Sequence, residues 1–337
     1  MSESKDHAIV LGGSISGLLA ARVLADHFDR VTIVEKDKLA NDLAPRKTAP
    51  QGAHAHALLS RGRNIVEGLY PGISDELVEG GATLAGIEDV RVYVLGWRKQ
   101  LEDPERILAM TRPFFERTLA RRARALNKVS VIEDAEAVGL IGTPDRATGV
   151  TVRDANGTRD LAADFIVDAR GRASNLADWM KQMGLEGPPH ETSPLASVYS
   201  SCLYEPAPGA PRPCAHQVAK FEEKLGVLIF PVENNRVQVS LGANTIMPMP
   251  KTQEAFLAAL KALPVPDAYE AIKPLRAITE ISHSRFSASV RRNYHALKRL
   301  PEGIVAIGDA VASFNPVFGQ GMTVAALEVE WLAKCLA

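Results

Sequence analysis

The chain has 337 residues, 46% apolar and 23% charged, a globular composition that excludes disorder and collagen-like repeats. At about 150 residues per domain the length holds roughly two domains, with core enough to need neither disulfides nor structural metal. Lys and Arg number 39 against 40 Asp and Glu, a net charge of −1, so nucleic-acid binding is not expected.

Met1–His7 is polar and too short for a signal peptide. Ala8–Ala25 comes nearest to a membrane span, but its glycines, its serines and Arg22 argue against insertion and no stable membrane anchor is expected. Cys202, Cys214 and Cys335 show neither paired nor metal-type spacing and read as reduced thiols of a cytoplasmic protein.

Ala8–Leu11 is a continuous apolar run, the pattern of a strand buried on both faces of a parallel sheet. The turn Gly12–Gly17 (GGSISG) follows, then a strong helix former, Leu18–Ala25, and a second buried strand, Val31–Val34, ending in Glu35. Strand, glycine turn, helix, strand and acid make up a dinucleotide-binding βαβ unit. Gly12 permits the tight turn and Gly17 the close approach of helix to sheet. The helix N-terminus offers free N–H groups and partial positive charge to a diphosphate. Glu35 can accept hydrogen bonds from ribose hydroxyls, and it disfavours a 2′-phosphate. Ser14 stands where the fingerprint has its second glycine.

His54 and His56 share one face of an expected strand, with no third metal ligand in view, so no metal is expected, and they read as a loop beside the cofactor or as packing. Arg112–Leu126 spaces Phe115, Leu119, Ala123 and Leu126 as a helix packed on the sheet. Arg117, Arg121, Arg122 and Arg124 fall on its solvated faces, and Arg112 at its start is the functional candidate. Val129–Glu133, Ala137–Ile141 and Asp164–Asp168 read as strands.

From about Glu191 the pattern turns antiparallel: Leu195–Tyr204, Gly226–Val232, Arg236–Ala243 and Arg276–Phe286, with a hairpin turn at Glu233–Asn235. Pro206–Pro213 is a surface loop, and Thr252 caps a helix over Gln253–Leu263 that stops at Pro264. Gly303–Gly308 is another buried strand, running into Asp309, and a last helix begins near Thr323. Phe314 and Phe318 flank the loop between them, as pocket lining or as core.

A nicotinamide site has no need of this second signature near the chain's end, whereas FAD does, because its ribityl chain and ring reach far from the adenine. Asp309 can hold ribityl hydroxyls. The last helix can turn its N-terminus to the flavin N1–C2=O edge, where negative charge grows on reduction. The expected fold is α/β: a Rossmann-like FAD-binding domain with an inserted, mostly antiparallel substrate sheet. Residues 1–190 and the return segment 291–337 form the first, and 191–290 the second.

Ile9–Glu35, Pro45–Leu59 (PRKTAPQGAHAHALL), Thr111–Leu126 (TRPFFERTLARRARAL), Asp164–Ser174 (DFIVDARGRAS) and Gly303–Leu327 together resemble the FAD-dependent monooxygenases of the aromatic-hydroxylase type. This is the para-hydroxybenzoate-hydroxylase-like, group A superfamily, and the chain looks most like its polyketide-tailoring hydroxylase and epoxidase branch. The resemblance implies that Gly12, Gly13, Ser14, Gly17, Glu35 and Lys36 bind the ADP half of FAD. It puts Arg112 near the phosphates, Asp309 on the ribityl, and Pro316, Gly321 and Met322 at the flavin ring. Three departures stand out. Ala169-Arg170-Gly171 replaces the usual Ala-Asp-Gly, Ala53 replaces an arginine of the Gln-Gly-x-His-x-His segment, and the halogenase Trp-x-Trp signature is absent.

The function so implied is hydroxylation or epoxidation of a small apolar aromatic or alkene by way of a flavin C4a-hydroperoxide, with NAD(P)H and O2 as co-substrates. No catalytic acid or base is assigned. The alternatives are a reductase or saturase of the same fold, or a truncated FAD-binding protein without turnover. The resemblance also implies further C-terminal helices beyond Ala337, without which Val324, Leu327, Trp331 and Leu332 would be partly uncovered.

Overall fold

The structure is a computed structural model that describes residues 6–39, 43–100, 106–210, 212–218, 225–244 and 247–337. Its centre is a parallel sheet of five strands in the order Ile304–Ala306, Phe165–Asp168, His7–Leu11, Arg30–Val34 and Val129–Ile132. Strands from both ends of the chain therefore lie in one sheet.

His7–Leu11 is buried at every position because both faces are covered. Ala8 and Val10 face a layer that includes the helices Ile15–His27, Arg112–Arg124 and Gly321–Leu336. Ile9 and Leu11 face a second layer, formed by Leu176–Gln182 and by a three-stranded antiparallel sheet. That sheet comprises Glu136–Gly142, Ala147–Asp154 and Gly157–Ala162. Two covered faces are why this strand reads as an unbroken apolar run.

An eight-stranded sheet, mostly antiparallel, stands beside the first. Its order is Arg276–Ala277, His190–Glu205, Arg236–Ala243, Leu225–Val232, Ala215–Val218, Arg91–Val94 and Trp97–Arg98, with Ser282–Arg292 also paired to His190–Glu205. Val227, Ile229, Val237, Val239 and Leu241 form one face and pack on the helices Gln253–Lys261 and Asp267–Ile272. Phe230 and Val232, on the other face, meet Ala109, Ala55 and Ala57. Two of its strands, Arg91–Val94 and Trp97–Arg98, come from well before residue 191.

The sequence pattern missed several elements. Ser60–Leu69 (SRGRNIVEGL) has two glycines and weak helix propensity, yet it is helical. Ile65 and Val66 are buried, and Gly62 lies so close to the last helix that a Cβ would stand 2.7 Å from the Thr323 hydroxyl. Arg276–Phe286 is not one strand. It divides into Arg276–Ala277 and Ser282–Arg292, because the Thr279 hydroxyl takes the Leu203 N–H that a strand carbonyl would otherwise accept. Among the described residues no helix is long and apolar enough to cross a membrane.

Candidate cofactor site

The loops leaving the carboxyl ends of the parallel strands carry Gly12–Gly17, Glu35, Ala169–Gly171 and Gly308–Ala310. An open α/β sheet holds its ligand in that crevice. Gly12 has φ +101°, and a Cβ on it would lie 2.7 Å from the Ala169 carbonyl oxygen. A Cβ on Gly17 would lie 1.9 Å from the Gly12 carbonyl oxygen, so the helix sits on the turn with no room for a methyl. Ser14 begins the Ile15–His27 helix without capping it through its side chain. The N–H groups of Ile15, Ser16 and Gly17 thus point out of the first turn with no partner inside the helix.

The Ser14 hydroxyl belongs instead to a buried charge network. It donates to Glu116 Oε1 (2.5 Å) and accepts from Arg112 Nη2 (2.9 Å). Arg112 Nε donates to the same Glu116 oxygen at 3.0 Å, while Arg46 donates to Glu116 Oε2 through Nε and Nη2 at 3.2 and 3.1 Å. Arg46 Nη1 is buried, lies 3.3 Å from Glu35 Oε2 and donates no hydrogen bond. Glu35 in turn accepts the N–H groups of Gly13 (2.6 Å) and Asp37 (2.9 Å). Burial favours the protonated form of Glu116, but Arg112 and Arg46 overcome it and hold the carboxyl below its usual range. Burial would likewise lower Arg46, but Glu116 and Glu35 hold its guanidinium above the ordinary value.

The return segment closes on this turn from the other side. Gly308 has φ +64°, and a Cβ there would stand 2.5 Å from the Ser16 hydroxyl. Its N–H goes to the Glu328 carboxylate of the last helix. Asp309, at the mouth of the return segment, is exposed to solvent. Desolvation by the protein around it still raises its pKa, opposed by Arg112, Arg172 and Arg292. Gly12, Gly13, Ser14, Gly17, Glu35, Arg112 and Asp309 thus come together. Lys36 is exposed just past the strand end. Pro316 and Gly321 are exposed further along the return segment, and Met322 is buried at the start of the last helix. Phe318 is exposed and Phe314 half-buried.

Two residues of the network escaped the sequence. Glu116 follows Arg112 by one helical turn, an i,i+4 ion pair that was readable on that helix. Arg46 sits in a loop without periodicity, and no local signal marks it. The arginine face of that helix is also not merely solvated. Arg121 and Arg122 pair with Glu76, Arg124 with Glu133 (2.5 Å), and Arg117 lies over the Phe114 ring.

Arg170, where an aspartate is usual, is engaged locally. Its Nε and Nη2 bond the two oxygens of the fully buried Asp168 at 2.9 and 2.8 Å, Nη1 bonds Asn175, and the guanidinium lies 3.9 Å from the Trp179 ring centre.

His54 and His56 are not on a strand; they lie in the segment that leads into Ala57–Leu58. His54 Nδ1 shares a hydrogen bond with Ser201 Oγ (2.7 Å), and Ser201 with Ser240 (2.6 Å). Ser240 accepts the Ala55 N–H at 2.7 Å, and Gln238 donates to the Ala53 carbonyl at 3.2 Å. Residues 53–56 are thus strapped to the eight-stranded sheet. Burial, reinforced by His283 for His54 and by Arg112 for His56, pushes each imidazole down to about 4. A second tie joins Thr111, which donates its N–H (3.0 Å) and hydroxyl (2.5 Å) to the buried Glu233.

These residues fit a dinucleotide. The N–H groups of Ile15, Ser16 and Gly17 have no partner inside the helix, and Arg46 Nη1 is a buried cationic donor that makes no hydrogen bond, with Glu35 near it at 3.3 Å. The chain matches the FAD binding domain family over residues 5–337. Protein Rv3254 of Mycobacterium tuberculosis is 33% identical to it, over 98% of this chain and 73% of that protein. The structure of the flavin-dependent brominase Bmp2 aligns with a TM-score of 0.75 at 14% identity, over 98% of this chain and 78% of that one. That of p-nitrophenol 4-monooxygenase PnpA from Pseudomonas putida DLL-E4 aligns with 0.73 at 16% identity, over 98% and 79%. At such identities these two likenesses concern the fold.

Proposed function

The chain belongs to the FAD binding domain family, and on that premise we propose that it is an FAD-dependent monooxygenase. Its substrate is a small apolar aromatic or alkene, hydroxylated or epoxidised with O2 and with NAD(P)H as reductant. The observation that carries this is the convergence of Ser14, Glu35 and Arg112 with Asp309, far apart in the chain, in one crevice at the sheet's carboxyl end. An extended cofactor needs both ends of such a crevice.

When bound, FAD supplies electron transfer and the activation of O2. The N–H groups of Ile15–Gly17, with Arg112 and Arg46, hold its diphosphate, and Glu35 orients the ribose. Asp309 takes the ribityl hydroxyls. The first turn of Gly321–Leu336, with Pro316 and Met322 nearby in the chain, would favour the negative charge that grows on the flavin when it is reduced. The strap over residues 53–56 and the Thr111–Glu233 tie hold the second sheet against this domain, which keeps water from the reacting centre.

Purified protein is expected to show the two-band absorption of bound flavin, to be bleached by NADH or NADPH, and to consume O2 with formation of oxygenated product. Full turnover without O2 on an alkene would replace this reading with that of a reductase or saturase.

A further inference from the structure

The charges at the glycine turn cancel before a ligand is counted. Glu35 and Glu116 oppose Arg46 and Arg112, and the four side chains are 6%, 10%, 8% and 16% exposed. Glu116 occupies the centre of this set. It accepts the Ser14 hydroxyl, Arg112 Nε and two nitrogens of Arg46. His56, also near it, is held neutral by burial. The carboxylate therefore already receives the hydroxyl and the guanidinium groups that the anion of a cofactor would need, next to the residue that opens the helix. A diphosphate adds two negative charges beside four side chains whose own charges sum to zero.

We propose that Glu116 competes from within the protein for the donors that bind the cofactor's diphosphate, and so sets the affinity for FAD low. The Ser14 hydroxyl, Arg112 Nε and two of the three Arg46 nitrogens are taken by Glu116, and each of these must give up that bond before it can hold a phosphate oxygen. This rests on the FAD reading above, but it makes a separate statement about one residue. Without Glu116 the same donors would stand free, and the cluster would carry one net positive charge.

The test is equilibrium binding of FAD, followed by flavin fluorescence, to the wild-type protein and to Glu116→Gln. Glutamine keeps an acceptor oxygen for Ser14 and Arg112 while removing the charge. The variant is expected to bind FAD about ten-fold more tightly, with a steeper dependence on salt. Equal or weaker binding by the variant overturns the proposal, since Glu116 would then be inert toward the cofactor or a support for it. If the variant does not fold, the wild type decides. A balanced cluster leaves FAD affinity nearly flat between low and high KCl, and a steep fall overturns the competition. Wild-type protein that binds no FAD at any salt concentration would instead overturn the cofactor reading, and this proposal with it.

Discussion

His54 and His56 sit where the two halves of the molecule meet, and both are neutral for the same reason: burial disfavours the imidazolium. Their values near 4 compare with an ordinary 6.5, and the direction fixes a pH dependence of stability. Above 6.5 neither the folded nor the unfolded chain protonates them. As pH falls from 6.5 through 4, the unfolded chain takes up protons that the folded one refuses, so stability is lost across that window. Each histidine accounts for ~2–3 kcal/mol. His54→Gln should therefore lose about half as much stability as the wild type from these two sites between pH 6.5 and 4. Urea melts at several pH values check this, and an unchanged slope would show that His54 does not drive the effect. The histidine pair was legible as a motif, but not its partner Ser201, which lies 147 residues away.

At the scale of elements, the start of the Arg112–Arg124 helix is fixed by the other sheet. Thr111 caps it by accepting the Phe114 N–H at 3.3 Å, while its own hydroxyl donates a hydrogen bond to Glu233. Glu233 lies in the turn between Leu225–Val232 and Arg236–Ala243 and also pairs with Arg236 at 2.7 Å. Thr111→Val removes the cap and leaves a buried carboxylate short of a donor, a loss of about 2–3 kcal/mol in denaturation experiments. FAD affinity should fall as well, because Arg112 is the next residue; binding unchanged by the substitution would mean that the helix start is held by other contacts. The turn was readable from the residue types Asn234 and Asn235, and the structure gives these φ of 59° and 53°, which asparagine tolerates better than most residues. What this turn does for a helix more than 100 residues earlier was not. A buried carboxylate is recognisable only once its donors are in place.

For the whole molecule, a cofactor held between the glycine turn and the return segment binds only when both chain ends are folded. FAD at 100 times its Kd should therefore add about 2.7 kcal/mol to unfolding and raise Tm, as measured by thermal melts against FAD concentration. A Tm indifferent to added FAD would mean that the folded protein does not bind FAD in preference to the unfolded chain. The sequence by itself determined the parallel βαβ unit, since a strand covered on both faces must be apolar throughout and Gly12 and Gly17 have no substitutes at their spacing. It also determined the mostly antiparallel character of the region after residue 190, from side chains that alternate between two environments. Only the tertiary structure decided that Arg46 and Glu116 join the glycine turn, that Arg170 serves Asp168, and that Arg91–Val94 extends the second sheet. Those pairings link residues far apart in the chain. Charge and hydrogen bonding act across space at a few ångströms, and no periodicity along the sequence records them.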